Sequence, residues 1–197
     1  METRDYQLAP IALIKQQAKQ AKKGQSVFFG DSIIEYWDLA KYELTGYNCG
    51  VRGATTFDLL GFHHFAIGDY QPERVIISVG VNDLSDENQF NRSEVTINLY
   101  ELIMILQQKY FIERIIIISP LPIDENRQRG ECLDNARLRL LGEEFKGVCE
   151  EFDGVDYLDC FNAFISDGAL NDDYTSDGLH LNDAGYTLLT TLLKAQL

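Results

Sequence analysis

The chain has 197 residues, enough for one domain that buries a sizeable core without structural metals or disulfides. With 45% apolar and 24% charged residues it is a folded, soluble type of sequence, which excludes a disordered chain. The 31 acidic against 17 basic side chains leave a formal net charge of -14, which repels phosphate backbones and anionic head groups and excludes nucleic acid as a natural partner.

No apolar run reaches the roughly 20 residues of a membrane span. The first six residues, Met-Glu-Thr-Arg-Asp-Tyr, carry neither the basic region nor the apolar core of a secretory signal, so a cytoplasmic protein without stable membrane association is expected. Cys49, Cys132, Cys149 and Cys160 show no C-x-x-C spacing and have no histidine at a metal-binding interval. Free thiols, mostly buried, and no metal site are expected.

In chain order, residues 10–23 read as a surface helix with Ile11, Ile14, Ala18 and Ala21 facing a sheet, closed by Gly24. A strand at 27–29 runs into Gly30-Asp31-Ser32, and a short helix follows at 33–38. A second short strand is expected at 44–48, then a loop with Gly50 and Gly53, then a helix capped by Thr55 and reaching about residue 65. The β-branched run 74–79 and the isoleucine run 114–119 read as strands covered on both faces. Helices are expected at 93–109 and 131–150, a fifth strand at 155–158, a turn-rich loop at 167–179, and a last helix from the cap Asn182 to about residue 194. Alternating strands and helices predict a three-layer α/β/α sandwich with a five-stranded parallel sheet, and right-handed crossovers favour the flavodoxin-like order 2-1-3-4-5. There is no internal repeat or linker, so residues 1–197 read as one domain.

Polar clusters follow strands one, two and three and precede the last helix: Asp31-Ser32, Gly50 to Gly53, Gly80 to Asp83, and Asp177-Gly178-Leu179-His180. In a parallel sheet such loops share one edge and converge on a crevice. Ser32, at a strand-to-helix turn, is either a nucleophile or a plain N-cap. Of the three histidines only His180 lies on such a loop, and it is the candidate base; a structural histidine closing the loop is the alternative. Asp177 can accept from the other ring nitrogen and fix the tautomer. Asn82 and the backbone N–H groups of Ser32 and Gly53 can supply an oxyanion hole; an Asx-turn is the alternative for Asn82. A substrate carbonyl close to Gly53 would leave no room for a Cβ. Asp31 is read as holding its turn, Asp172 and Asp173 as solvated, and His63 and His64 as packing or facing water.

These four blocks resemble the SGNH hydrolases, the GDSL-type esterase/lipase superfamily, over nearly the whole chain. Gly30-Asp31-Ser32 matches the first block, Asn48 to Thr56 the second with Gly53 at the oxyanion position, Gly80-Val81-Asn82-Asp83 the third, and Asp177 to His180 the last. Ile33 stands where the eponymous motif has Leu, and Val81 where relatives often have Thr; neither touches a reacting atom. The resemblance implies a serine esterase with Ser32, Asp177, His180, Gly53 and Asn82 as catalytic set, a small-molecule ester as substrate, and no metal or organic cofactor. It does not separate a short-acyl esterase from an acyl thioesterase, a lysophospholipase or a carbohydrate O-acetylesterase, and it leaves a homo-oligomer open. A non-catalytic binding protein of the same fold is the reading outside enzymes. No long apolar lid stands out, so short acyl groups are expected, walled by some of Tyr36, Trp37, Phe57, Phe90 and Tyr174.

Overall fold

A computed structural model describes residues 3–85, 91–128 and 133–197. In chain order the first half contains α1 (Leu8–Ala18), β1 (Ser26–Gly30), α2 (Ser32–Glu35), β2 (Tyr47–Gly50), α3 (Thr56–His63) and β3 (Arg74–Ser78). The second half contains α4 (Arg92–Tyr110), β4 (Arg114–Ile118), α5 (Asn135–Glu150), β5 (Val155–Leu158), α6 (Phe161–Phe164), a two-residue hairpin of β6 (Ile165–Ser166) and β7 (Ala169–Leu170), and α7 (Asp183–Lys194).

β1 to β5 form one parallel sheet in the order β2-β1-β3-β4-β5, as expected from the sequence, with helices on both faces. The period of two along each strand sends alternate side chains into two cores. Val27, Phe29, Val75, Ile77, Ile115 and Ile117 bury against α1, α3, α4 and α5. Phe28, Ile76, Ile116, Ile118 and Leu158 bury against α2, α7 and Phe164 of α6. Because both faces are covered, Ile115 to Ile118 are all 0% exposed, and each such side chain is worth about 1.5–3 kcal/mol of burial. That explains the unbroken isoleucine run where a half-solvated strand would alternate.

The helices begin where polar caps stand. Thr55 and Asp58 make a reciprocal capping box on α3, Asn91 and Glu94 another on α4, Asp134 caps α5, and Asn182 caps α7. Several elements differ from the sequence expectation; α2, expected over 33–38, spans Ser32–Glu35. α1 stops at Ala18 rather than residue 23, because the following Lys19, Gln20, Lys22 and Lys23 offer little apolar surface to bury; Gly24, at φ +76°, turns the chain into β1. β2 lies three residues later than expected, since Leu44 packs into the core from a turn and Gly46 (φ +152°) approaches the Ser26 carbonyl so closely that a Cβ would meet it at 2.5 Å. α5 starts at Asn135; residues 131 and 132, where its beginning was expected, fall outside the described part. α6 and the β6–β7 hairpin were not anticipated, being too short to carry a period. Cys49, Cys149 and Cys160 are buried free thiols, and burial pushes each up to about 12.

Candidate active site

β1 ends at Gly30, where a Cβ would meet the Ser78 carbonyl of β3 at 2.0 Å, so only glycine lets the two strands pair this close to the turn. Asp31, not Ser32, is the N-cap of α2: its Oδ1 accepts from the Ile33 N–H at 2.9 Å. Ser32 is therefore the first helical residue, and its side chain is left for other work. The turn is braced from three sides. Asn48 donates to the Ile34 and Trp37 carbonyls at 2.6 and 3.0 Å, the Tyr186 hydroxyl donates to the Ile33 carbonyl at 2.9 Å, and Gly50 lies where a Cβ would meet the Glu35 nitrogen at 2.1 Å.

Ser32 Oγ lies 3.0 Å from His180 Nε2, and His180 Nδ1 lies 2.7 Å from Asp177 Oδ2. The second carboxylate oxygen, Oδ1, accepts from the backbone N–H groups of His180 (2.7 Å) and Leu179 (2.9 Å). Partial burial works to raise the Asp177 pKa, but the hydrogen bonds from the His180 ring and these two N–H groups outweigh it and hold the carboxyl at about 2. An ionised Asp177 accepts from Nδ1–H, which leaves the Nε2 lone pair facing the serine hydroxyl. The loop itself is fixed by Thr175, whose hydroxyl donates to the His180 carbonyl at 2.7 Å and accepts from the Gly178 N–H at 2.9 Å. Gly178 has φ +85°, and its carbonyl accepts from the Asp124 N–H at 2.8 Å. Thr175 was not singled out in the sequence; its signal is the hydroxyl placed two residues before the Asp177-Gly178 pair.

The exit loops of β2 and β3 are tied to each other. Asn82 Nδ2 donates to the Ala54 carbonyl at 3.0 Å, and Asp83 accepts from both the N–H and the hydroxyl of Thr56. The Asn82 side chain thus bonds across loops. Gly53 has φ +68°, and its missing Cβ would meet the Tyr6 hydroxyl at 2.6 Å. The close neighbour on that side is a side chain from the N-terminal segment, where the sequence suggested substrate. Arg4 also donates to the Gly53 carbonyl at 3.2 Å and pairs with Asp58 at 3.3 Å. No local pattern announces these contacts, which span about 50 residues of chain.

Two buried carboxyls sit beneath the site. Burial raises Asp31 to about 7, with the charge of Asp83 adding to it against the Ile33 hydrogen bond. Burial likewise raises Asp83 to about 7 despite the hydrogen bonds from Thr56. Two other candidates from the sequence have partners of their own: Asp172 pairs with Arg127, and His63 Nδ1 lies 2.7 Å from the Tyr110 hydroxyl.

Beside Ser32 a narrow pocket opens toward the exits of β3 and β4, walled by Ile33, Val79, Val81, Leu121, Ile123 and Leu179. Its cavity volume is about 10 Å³, room for about one water. The walls are mostly apolar, with Asp31, Ser32 and Ser78 also in the lining. Trp37, expected as a wall, is 1% exposed and belongs to the core, edge-on to Phe28, stacked on Tyr186 and donating to Thr190 at 3.2 Å. Tyr174 packs on Phe164, Phe57 is exposed, and Phe90 lies outside the described residues. Among the described residues no helix is long and apolar enough to cross a membrane.

A parallel sheet of this order, with a serine, a histidine and an aspartate meeting at its carboxyl edge, defines an α/β hydrolytic class. Residues 28–188 match the GDSL-like Lipase/Acylhydrolase family, and the chain belongs to it, a GDSL/SGNH-type ester hydrolase. No curated protein matches the chain. Among solved structures it is similar to a Streptococcus pneumonia protein provisionally designated a platelet activating factor, at 25% identity and TM-score 0.88 over 97% of this chain and 92% of that one. It is similar to a GDSL-like lipase from Bacteroides thetaiotaomicron VPI-5482, at 21% identity and TM-score 0.81, covering 94% and 96%. A lipase/acylhydrolase from Enterococcus faecalis is 25% identical, with TM-score 0.72 and coverage of 89% and 95%.

Proposed function

We propose that this protein hydrolyses small carboxylic esters of short acyl groups through an acyl-enzyme on Ser32, residues 1–197 acting as one domain. The observation that carries the reading is the hydrogen-bonded series Ser32, His180, Asp177 at 3.0 and 2.7 Å. Ser32 Oγ attacks the carbonyl carbon while His180 Nε2 takes its proton. The oxyanion is received by the N–H groups of Ser32 and Gly53 and by the Asn82 carboxamide. Collapse of the tetrahedral intermediate breaks the C–O bond, and the alcohol leaves with the proton held by His180. Water then attacks the acyl-enzyme, gives its proton to His180, and releases the carboxylic acid and free Ser32. Asp177, held ionised, keeps the imidazole in the required tautomer. These groups supply nucleophile, base and oxyanion donors, so the reaction as written uses no metal or organic cofactor. The pocket beside Ser32, of about 10 Å³, has room for a group about the size of an acetyl methyl, which supports a short acyl group.

A fluorophosphonate probe tests the reading together with p-nitrophenyl acetate turnover. One adduct on Ser32 with loss of turnover is expected. An adduct on Ser26 or Ser78, or labelling without loss of turnover, would overturn it.

A further inference from the structure

The Ser32–His180 pair separates two unlike flanks. Toward the exits of β3 and β4 lies the narrow, mostly apolar pocket; toward the exits of β1 and β2, the edge of the sheet, lie Tyr36 and Arg52. The Tyr36 ring packs edge-on to the His180 ring, centroids 5.2 Å apart at 65°, and is 43% exposed. The Arg52 guanidinium lies over that ring at 5.5 Å.

Arg52 is anchored on Glu35. Its Nε and Nη2 donate to Glu35 Oε1 at 2.9 and 2.5 Å, its backbone N–H donates to Glu35 Oε2, and the Glu35 side chain is only 14% exposed. The carboxylate balances the guanidinium charge but uses only one edge of the fork. Among the described residues none accepts from the two N–H groups of Arg52 Nη1, and none bonds to the Tyr36 hydroxyl. An exposed ring, a free hydroxyl and two oriented N–H groups thus stand beside the imidazole with no net charge.

Position decides what they meet. His180 delivers its proton to the leaving oxygen, so the alcohol half of the ester must lie against His180, while the acyl half enters the narrow pocket. We infer that Tyr36 and Arg52 form the leaving-group subsite and select a neutral, polyhydroxylated ring, a pyranoside carrying the ester. Such a ring presents C–H groups to an aromatic face and hydroxyl oxygens to the guanidinium donors. A fatty alcohol would leave the Nη1 donors desolvated and unpaired. This assignment rests on the proposed ester hydrolysis for its catalytic half.

The test pairs kinetics with a binding readout that needs no turnover. Substrates share one acetyl group and differ in alcohol: monoacetates of methyl pyranosides of gluco, galacto and xylo configuration, against ethyl acetate. In Tyr36→Ala the kcat/KM ratio of the best pyranoside acetate over ethyl acetate should fall about tenfold. Tyr36→Phe, which keeps the ring and loses the hydroxyl, should fall by less, and Arg52→Lys, which keeps the charge and loses the planar fork, should also lower the ratio. Saturation-transfer NMR with the unacetylated methyl pyranosides should show contact in the wild type and none in Tyr36→Ala. Equal losses on both substrates would make Tyr36 a support for His180 and overturn the subsite, as would absent saturation transfer in the wild type. Transfer to a pyranoside by a protein that cleaves no ester would uphold the subsite and overturn the hydrolase reading instead.

Discussion

Asp83 accepts from the Thr56 N–H at 3.0 Å and from its hydroxyl at 2.5 Å, so the carboxylate that follows Asn82 holds the first residue of the helix that follows Gly53. Both partners are buried, and Asn98 donates to the same hydroxyl at 3.0 Å. Two loops from neighbouring strands thereby keep a fixed distance. Asp83→Ala strands a buried N–H and hydroxyl and should cost about 1–3 kcal/mol of stability. Urea denaturation of the variant against the wild type measures this, and an unshifted midpoint would refute the clamp.

Asp31 gives a pH prediction of definite sign. Its folded pKa of about 7 lies above the ordinary carboxyl value of 3.8, so between those values the folded state binds more protons than the unfolded. Stability therefore falls as pH rises from about 4 to about 7 and stays at the lower level above. Asp83 contributes with the same sign. Asp177, lowered to about 2, has the opposite sign: its stabilising effect is present above about 4 and is lost as pH falls toward 2, outside this window. Asp31→Asn keeps an N-cap acceptor and removes the titration. Its unfolding free energy should change less between pH 5 and pH 8 than that of the wild type; parallel curves would contradict the assignment.

On the proposed mechanism, withdrawing the Asn82 carboxamide removes a donor to an oxyanion that exists only in and near the transition state. Asn82→Ala should lower kcat by roughly 100-fold to 1000-fold, about 2.7–4 kcal/mol, with KM little changed. A rise in KM at constant kcat would place Asn82 in ground-state binding instead.

His180→Ala should lose several orders of magnitude in kcat, and Asp177→Asn should lose substantially by permitting the wrong imidazole tautomer. Combined, they should be far from additive, because without the ring the carboxylate has nothing to orient. Steady-state kinetics on the singles and the double, with melting curves to confirm folding, decides this. Additive losses would separate the two residues functionally.

On the proposed reading, acyl length probes the narrow pocket beside Ser32. Acetyl to butyryl esters should exceed octanoyl esters in kcat/KM, since each methylene that fits is worth about 0.8 kcal/mol and one that meets a wall costs. Val81→Ala, which thins the wall, should move the optimum toward longer acyl groups. A steady rise through dodecanoyl in the wild type would reject a short-acyl enzyme.

Much of this was written locally. Strand periods, glycine and proline punctuation and polar caps fixed the sheet and its helices, because burial on two faces and N-terminal N–H groups act over a few residues. The four blocks marked Ser32, Gly53, Asn82, Asp177 and His180 for one edge of the sheet, since a parallel sheet brings its exit loops together whatever their separation in sequence. What lies around them was decided by tertiary packing. Trp37 turned inward because Phe28, Tyr186 and Thr190 offered a cavity and an acceptor, while Tyr36 one residue earlier turned out against His180. Tyr6 and Arg4 reached Gly53, and Glu35 reached Arg52, across chain separations that no periodicity spans. The pocket is mostly apolar because Val81, Leu121 and Ile123 come from two different strand exits. Such contacts depend on where whole elements meet, and a side chain's neighbours three-dimensionally are set only when the layers close.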